Sequence, residues 1–313
     1  MIVGERPSGL RLFLTMKGSI LSRIWKSLLV TTLLSILVTY THGDLMHHKI
    51  TVTTIPFTLM GLPLAIFLGF RNSAAYDRYW EGRKLWGELV LKSRNLARQC
   101  LSLIDPPESF AGGSRLGDER MRIVYRTIAY AHALRHQLRD TDGTAELRTL
   151  MPEAEWSGLD KASNKPHYIM LQTGADLRSC IKARRVDPCL AAGIDDTLST
   201  MAGAGAACER IKNTPIPFSY TLLLHRTAYL YCFLLPFGLV DSIGFMTPVV
   251  VAIVAYTFFG LDALGDEIEE PFGMSANDLA LDAICRTIEI NLRESVGDEQ
   301  VPAPYVAVDH CLT

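Results

Sequence analysis

The sequence predicts an all-α transmembrane protein, with four membrane helices in each subunit and a helical cytosolic region. Long runs without charged residues occur in both halves of the 313-residue chain, and helical periodicity continues in the stretch between them. No stretch alternates with a period of two over enough residues to indicate a β-sheet. Hydrophobic residues make up 49% of the chain, which is too few for membrane helices alone and indicates a mixed architecture.

The chain is organised around a run of 21 uncharged residues from Ile50 to Phe70. At about 1.5 Å per residue this run spans roughly 31 Å, the thickness of the hydrocarbon core of a bilayer. The helical pattern continues to Ile104, so one long helix is expected to leave the membrane into the cytosol. Pro56 and Pro63 are expected to kink the membrane part of this helix or to free backbone carbonyl groups there.

Three further apolar segments are long enough to cross a membrane, at about 27–43, 219–240 and 242–261. Seven basic residues lie between Arg71 and Cys100, whereas the loops at the opposite ends of these segments carry one or none. The positive-inside rule therefore places both termini in the cytosol, together with the helical regions 71–214 and 262–313.

Helices are predicted in the polar part of the chain wherever apolar residues recur with helical spacing between Gly, Pro and Asp breakers. Beyond Ile104 these segments are Asp118–Arg139, Pro166–Arg184, Asp187–Asn213 and, near the C-terminus, Ala276–Glu294. After the last of them, Pro302 and Pro304 predict a weakly ordered tail.

Overall charge and cysteine usage exclude several classes of protein. Basic residues number 31 and acidic residues 33, so the balance does not indicate a nucleic-acid partner. The seven cysteines show neither a C-x-x-C pair nor metal-ligand spacing, which predicts reduced thiols. The sequence contains no glycine-rich phosphate loop, nucleophile elbow or di-iron motif, so neither an enzyme nor a cofactor is predicted.

Two histidines, His132 and His136, have the i, i+4 spacing of a metal site on a helix. No carboxylate completes a metalloprotease motif such as H-E-x-x-H around them. Ordinary surface or packed histidines are the favoured interpretation, and no metal site is predicted.

Three apolar residues of the organising run share one helical stripe. Leu62, Ile66 and Phe70 stand at i, i+4 and i+8, which places them on one face of the helix. If several copies of the helix surround an axis, the stripe lines a constriction that resists wetting. On spacing alone, a stripe that faces lipid or neighbouring helices is the more frequent arrangement.

A run of acidic residues follows the last apolar segment. Such a run can attract cations at the cytosolic mouth of a pore or bind a divalent ion, although solvated helix ends are more common. Its members are Asp266, Glu267, Glu269 and Glu270.

Several segments of the sequence together resemble the bestrophin family, in its bacterial branch. They are Ile55-Pro56-Phe57, the run from Phe70-Arg71-Asn72-Ser73 to Tyr79-Trp80-Glu81-Gly82-Arg83, Ile216-Pro217-Phe218-Ser219-Tyr220, and Glu270-Pro271-Phe272-Gly273 followed by Asn277-Asp278-Leu279. The resemblance covers nearly the whole chain in the same order, and so implies a single channel subunit over residues 1–313.

The resemblance implies a homopentamer in a bacterial inner membrane, with one ion pathway on the five-fold axis. The family's narrow membrane neck falls on Leu62, Ile66 and Phe70, the stripe that helical spacing had already picked out. The family's second constriction, at the cytosolic end, falls on Leu171 when the chain is aligned backward from Ile216 without gaps. A slip in that alignment moves the aperture to Met170 or Ile181.

The sequence departs from the family in one region. Animal bestrophins bind calcium through consecutive acidic residues after Pro-Phe-Gly, whereas here Asp278 is the one carboxylate between Met274 and Asp278. Because calcium takes six to eight oxygen ligands, we expect a calcium-independent channel. The ion itself is left open: animal relatives suggest chloride, and bacterial relatives suggest monovalent cations such as sodium. A membrane scaffold that docks a partner without conducting is the alternative function.

Overall fold

The computed structural model describes residues 1–3, 9, 15–16, 18–41, 44–45, 48–49, 53–107, 115–308 and 310–313. The chain divides into two compact units. The apolar unit consists of Gly4–Tyr79 and Pro215–Pro271, and the polar unit consists of Met1–Val3, Trp80–Thr214 and Phe272–Thr313.

The described residues are almost entirely helical, as the sequence predicted. In chain order the helices are α1 (Leu21–Tyr40), α2 (Ile55–Leu103), α3 (Glu119–Arg139), α4 (Thr144–Leu150), α5 (Glu153–Lys161), α6 (Lys165–Lys182), α7 (Pro188–Asn213), α8 (Phe218–Ile243), α9 (Thr247–Glu269) and α10 (Leu281–Ser295). Two 3₁₀ turns cover Arg115–Gly117 and Gly244–Met246. A two-residue antiparallel ladder joins β1 (Asp44–Leu45) to β2 (His48–Lys49).

The apolar unit is built from α1, α8, α9 and the first part of α2. Helix α1 packs mainly on α9, and α8 contacts both of them. The first part of α2 packs on α8, where Leu64 and Leu68 meet Leu224 and Ala228 in a cluster of buried side chains. Apolar packing of this kind is strong but does not by itself fix directions.

Among the described residues, three helical stretches are long and apolar enough to cross a membrane. These are α1, α2 and the stretch Phe218–Glu269, in which α8 and α9 are joined by the 3₁₀ turn Gly244–Met246. The finding agrees with a membrane protein, and the number of four crossings stays a prediction.

The helix boundaries differ from the predicted segments at several places, among them the starts of α9 at Thr247 instead of 242 and of α10 at Leu281 instead of Ala276. Helix α1 begins at Leu21, earlier than predicted, and α2 begins at Ile55, while Ile50 lies outside the described residues. Pro56 therefore occupies the first turn of α2, where a missing N–H costs little, and Pro63 is the proline inside the helix. Helix α9 continues to Glu269, beyond the predicted end at 261.

The polar unit is organised around α3, whose residues between 123 and 135 are all buried. The predicted helices α3, α6 and α7 are confirmed to within two residues. Asp118, Asn164 and Asp187 cap their N-termini by accepting backbone N–H groups. Helices α4 and α5, with 7 and 9 residues, were not predicted because they are too short to show a helical period.

The predicted tail has no helix or strand from 301 to 307, but its last residues are held by hydrogen bonds to the N-terminus. The backbone N–H of Val3 donates to the carbonyl of His310 at 2.8 Å, and the N–H of Leu312 donates to the carbonyl of Met1 at 2.8 Å. The two ends of the chain thus pair with each other. These hydrogen bonds join residues about 310 positions apart, which local sequence patterns do not reveal.

Candidate functional site

The predicted neck residues lie on an outward face of α2. Leu62, Ile66 and Phe70 are 67%, 46% and 63% exposed. The side chains of α2 that are buried within the apolar unit are Phe57, Leu64, Leu68, Arg71 and Ala75. At 100° per residue, the centres of these two sets lie roughly 170° apart around the helix axis. Within the described part of the chain, the three predicted neck residues therefore point away from the packed interior of the apolar unit.

The backbone of α2 near the neck is held by α8. The hydroxyl of Tyr220 donates to the carbonyl of Phe67 at 3.1 Å. The ring of Phe67 also meets those of Tyr220 and Phe70 edge-on, at centroid distances of 6.5 Å and 6.2 Å. These contacts hold one turn of the helix at the level of Phe70.

Directly after Phe70, Arg71 forms a buried charge cluster with α9. Its Nη1 lies 2.9 Å from Oδ1 of Asp262, and its Nη2 contacts Asp266 and lies 3.7 Å from Oε2 of Glu269. The sequence pointed to the basic residues after Phe70 and to the acidic residues after the last apolar segment, but the pairing between the two groups was not predicted. A signal was present, since an uncompensated charge so close to a membrane segment requires a partner.

The remaining predicted vestibule charges are placed as follows. The Oε1 atom of Glu269 accepts the backbone N–H of Ile216 at 2.8 Å, and Glu267 lies 3.7 Å from Arg23. Glu270 is exposed at the end of α9. Of the four predicted acidic residues, three thus contact a basic side chain of the apolar unit, which offsets their attraction for a passing cation.

The predicted aperture residue has a comparable position in the polar unit. Leu171 on α6 is 61% exposed. The buried residues of α6 are Pro166, Ile169, Thr173, Asp176, Leu177 and Cys180. At 100° per residue, Leu171 lies roughly 170° from the centre of that buried face. Of the alternatives, Ile181 is exposed and Met170 is half-buried, and both lie closer to the buried face.

A buried ion cluster binds α6 on the face opposite Leu171. Arg122 of α3 binds Asp176 with two N–H groups, from Nη2 to Oδ1 at 2.7 Å and from Nε to Oδ2 at 3.0 Å. Arg126 of α3 contacts the same carboxylate and also Glu155. Paired arginine–carboxylate contacts of this kind fix both distance and direction.

The two histidines of α3 lie in a network of charged residues. Nδ1 of His132 is 2.9 Å from Glu146, and its Nε2 is 3.4 Å from Glu289. Burial lowers the pKa of His132, but the two carboxylates outweigh burial and raise that pKa above 6.5. His136 lies 3.2 Å from the same Glu146, which also contacts Arg135. His132 is a buried member of an ion network.

The region where animal bestrophins bind calcium forms a tight turn here. Asp278 is buried, and its carboxylate accepts the backbone N–H of Ser275 at 2.6 Å. Among the residues that the structure describes, no three His, Cys, Asp or Glu side chains are arranged to hold a metal ion. The absence of calcium activation stays a prediction.

Comparison with known proteins decides the family. A model of the bacterial and fungal bestrophin protein family matches residues 1–294. The chain belongs to this bestrophin family. A bestrophin crystal structure from Klebsiella pneumoniae superposes with a TM-score of 0.81 at 39% identity, over 88% of this chain and all of that one.

Two curated relatives of this bestrophin extend the comparison. A voltage-dependent anion channel-forming protein of Mesorhizobium japonicum is 42% identical, over 95% of this chain and 93% of its own length. The voltage-dependent anion channel-forming protein YneE of Escherichia coli is 38% identical over 99% of both chains. The resemblance stated from the sequence is thus confirmed, and it extends over almost the whole chain.

Proposed function

We propose that this bestrophin is a calcium-independent, homopentameric channel for monovalent ions. Five copies of the outward face of α2 bring Leu62, Ile66 and Phe70 together as a hydrophobic neck. Five copies of Leu171 form the cytosolic aperture. The protein spans a bacterial inner membrane four times, with both termini in the cytosol.

The observation that carries this proposal is the direction of the neck stripe. Apolar side chains of a membrane protein face lipid, a neighbouring helix of the same subunit, or another copy. The burial of Leu64 and Leu68 shows that α2 already uses its opposite face within the subunit. Channel names among the relatives favour another copy over lipid for the exposed face. A ring of Leu, Ile and Phe then gates by excluding water.

Anions are the first candidate for the permeating ion, because the relatives at 38–42% identity are named as anion channel-forming proteins. One observation favours cations instead. Three charged residues lie between Ile55 and Tyr79: Arg71 is buried in its cluster, and Nε of Arg78 donates to the carbonyl of Glu269 at 3.2 Å. The third, Asp77, is exposed and falls within the neck face at 100° per residue. Five copies of Asp77 form an acidic ring that favours cations.

The stoichiometry and the conduction are tested on purified protein. Native mass spectrometry is expected to give an assembly of five times 34.7 kDa. The same preparation in planar bilayers is expected to show unitary currents in the absence of calcium. A monomer contradicts the pentamer. A pentamer that never conducts contradicts the channel and supports the scaffold alternative, which shares the topology but needs no pore.

The ion is tested by a reversal potential under a KCl gradient, whose sign separates anions from cations. Asp77→Asn is measured in parallel. If the Asp77 ring selects, the variant moves the reversal potential toward anion permeation. The opposite result is a reversal potential that indicates anions in the unchanged protein and does not shift in Asp77→Asn. That result would mean that this protein conducts anions, as the names of its relatives state, and that Asp77 does not select the ion.

A further inference from the structure

Arg71 stands directly behind the neck face of α2. It follows Phe70 in the chain, is 1% exposed and reaches three carboxylates of α9: Asp262, Asp266 and Glu269. A buried charge is costly unless it is paired, so this cluster resists any motion that separates its members. Because the N–H groups of a guanidinium form a rigid planar fork, contacts at several points also fix its direction.

The cluster is oriented from two helices. Nη1 of Arg71 donates to the side chain of Asp262 at 2.9 Å and to its backbone carbonyl at 3.3 Å. The second carboxylate oxygen of Asp262 lies 2.6 Å from Nδ1 of His225 on α8. Asp262 is therefore held from α8 while it holds Arg71. The rotation of α2 is tied through this chain of contacts to both α8 and α9.

Space for the cluster depends on one glycine of α9. A Cβ atom at Gly265 would lie 2.5 Å from Oδ1 of Asn72 and 3.4 Å from Cζ of Arg71. The first of these distances is too short for two atoms that are not bonded. An alanine at this position must therefore displace the amide end of the Asn72 side chain, and its Cβ would touch the guanidinium of Arg71, so the glycine leaves room for the cluster.

Apolar packing alone does not fix this rotation. The contacts of Leu64 and Leu68 with α8 are non-directional, so they stabilise contact without defining an angle. The neck residues occupy an arc of about 80° on α2, and Phe67 lies about 100° from the centre of that arc. Phe67 is also exposed, so a rotation of one residue would bring another apolar side chain to the neck. The hydrogen bond from Tyr220 to the Phe67 carbonyl opposes that rotation at one point, and the contacts of Arg71 oppose it at three carboxylates.

We propose that Arg71 is the positioning residue of the neck: its contacts with Asp262, Asp266 and Glu269 set the rotation of α2, so that Leu62, Ile66 and Phe70 share one direction. This inference rests on the proposed function, because it assumes that the neck face meets the pore. It adds a residue that never touches the ion and yet determines which side chains do.

The test compares two single-cysteine reporters in protein reconstituted into liposomes. Phe70→Cys reports the neck face and Phe67→Cys reports the neighbouring face, both in a background with Cys189→Ser and Cys311→Ser, since the other five cysteines are buried. A small charged thiol reagent is applied from the water phase, and mass spectrometry gives the rate of modification. With Arg71 in place, Phe70→Cys is expected to react at least about tenfold faster than Phe67→Cys, because the neck face meets the water of the pathway whereas position 67 lies against Tyr220.

In the Arg71→Gln background, the ratio of the Phe70→Cys rate to the Phe67→Cys rate is expected to fall at least about tenfold. Arg71→Lys keeps one contact with Asp262, so it is expected to restore part of that ratio. The matched control is Arg78→Gln, which removes a positive charge from the same helix and whose Nε donates to the backbone carbonyl of Glu269; it is expected to leave the ratio unchanged. If Arg71→Gln does not assemble, Asp262→Asn carries the test, because it removes the carboxylate charge that lies 2.9 Å from Nη1 of Arg71, and it is expected to lower the ratio.

The outcomes separate this inference from the proposed function. Equal rates at Phe70→Cys and Phe67→Cys with Arg71 intact contradict the neck itself. A high ratio that stays high in assembled Arg71→Gln, or in Asp262→Asn where that variant carries the test, overturns the role of Arg71 and leaves the neck standing. A fall that is equally large in Arg78→Gln also overturns it, because the charge of α2 and not the contacts of Arg71 would then be responsible.

Discussion

The two helices that carry the proposed constrictions are supported in the same way but with opposite charges. In the apolar unit, α2 bears the arginine, Arg71, and its support α9 bears the carboxylates. In the polar unit, α6 bears the carboxylate, Asp176, and its support α3 bears two arginines, Arg122 and Arg126. Each ion cluster lies on the buried face of its helix, and each proposed pore residue lies on the opposite face.

The difference between the two helices is the length of the apolar ladder. Helix α2 presents three large side chains over two turns, whereas the outward face of α6 presents Leu171, then Gly174 and Ala175, and then the exposed charge of Arg178. A longer apolar stretch is harder to wet, so the neck is expected to dominate the resistance of the pathway. The comparison therefore predicts that the apolar unit gates the proposed pathway and that the polar unit adds a smaller restriction.

The largest effect is expected from Ile66→Ala. The change removes three carbon atoms from each copy, and each apolar carbon contributes about 0.8 kcal/mol to the exclusion of water. Since about 1.4 kcal/mol corresponds to a tenfold change in an equilibrium constant, the wetted state of the neck becomes more than about tenfold more populated. We expect the current carried by each pentamer to rise at least about tenfold, measured as unitary conductance and open probability in planar bilayers.

Met60→Ala is the matched control for the neck, since Met60 is also exposed on α2 but lies about 120° from the neck face. It is expected to leave the current unchanged. An unchanged conductance and open probability in Ile66→Ala would move the gate elsewhere and remove the distinction between the two helices.

The next largest effect is expected from Asp176→Asn, which breaks the support of α6. Removing one partner of a buried ion cluster leaves uncompensated charge and costs about 3 kcal/mol or more. Thermal unfolding of the detergent-solubilised protein is expected to show a clearly lower Tm. Asp160→Asn, at an exposed position of α5, is the control and is expected to change stability by less than about 0.5 kcal/mol. Equal Tm values for the two variants would show that this cluster does not hold α6.

A smaller effect is expected from Leu171→Ala. Because the aperture lies in series with a more resistive neck, the current is expected to rise by no more than about twofold. Met170→Ala and Ile181→Ala are compared in the same recordings. The variant of the three that changes conductance identifies the aperture residue, and a change confined to Ile181→Ala or Met170→Ala would correct the ungapped alignment.

The smallest effect concerns the pH dependence of the polar unit. The pKa of His132 is raised above 6.5 in the folded protein by Glu146 and Glu289, against the opposing effect of burial. The protonated histidine therefore stabilises the fold fully below pH 6.5, and this contribution is lost as the pH rises through the raised pKa. The Tm is expected to fall gently as the pH rises above 6.5. A His132→Gln variant with the same slope would assign that slope to other groups.

Sequence patterns were informative where the physics is local. The long helix through Phe70 and the Asp and Asn caps follow from spacing and residue type within a few positions. The sequence showed that Leu62, Ile66 and Phe70 share one face of α2. The direction of that face became clear only from the structure, which shows that the opposite face of α2 is buried. The cluster of Arg71 with Asp262 joins residues 191 positions apart, and pairing over such a separation leaves no local pattern.

The central claim is that the stripe on α2 surrounds an ion pathway, and block of current at a cysteine tests it most directly. Leu62→Cys is recorded in planar bilayers before and after a bulky thiol reagent, beside Met60→Cys in the same background. The account predicts that the reagent abolishes the current through Leu62→Cys and spares Met60→Cys. Current that persists through fully modified Leu62→Cys would contradict it.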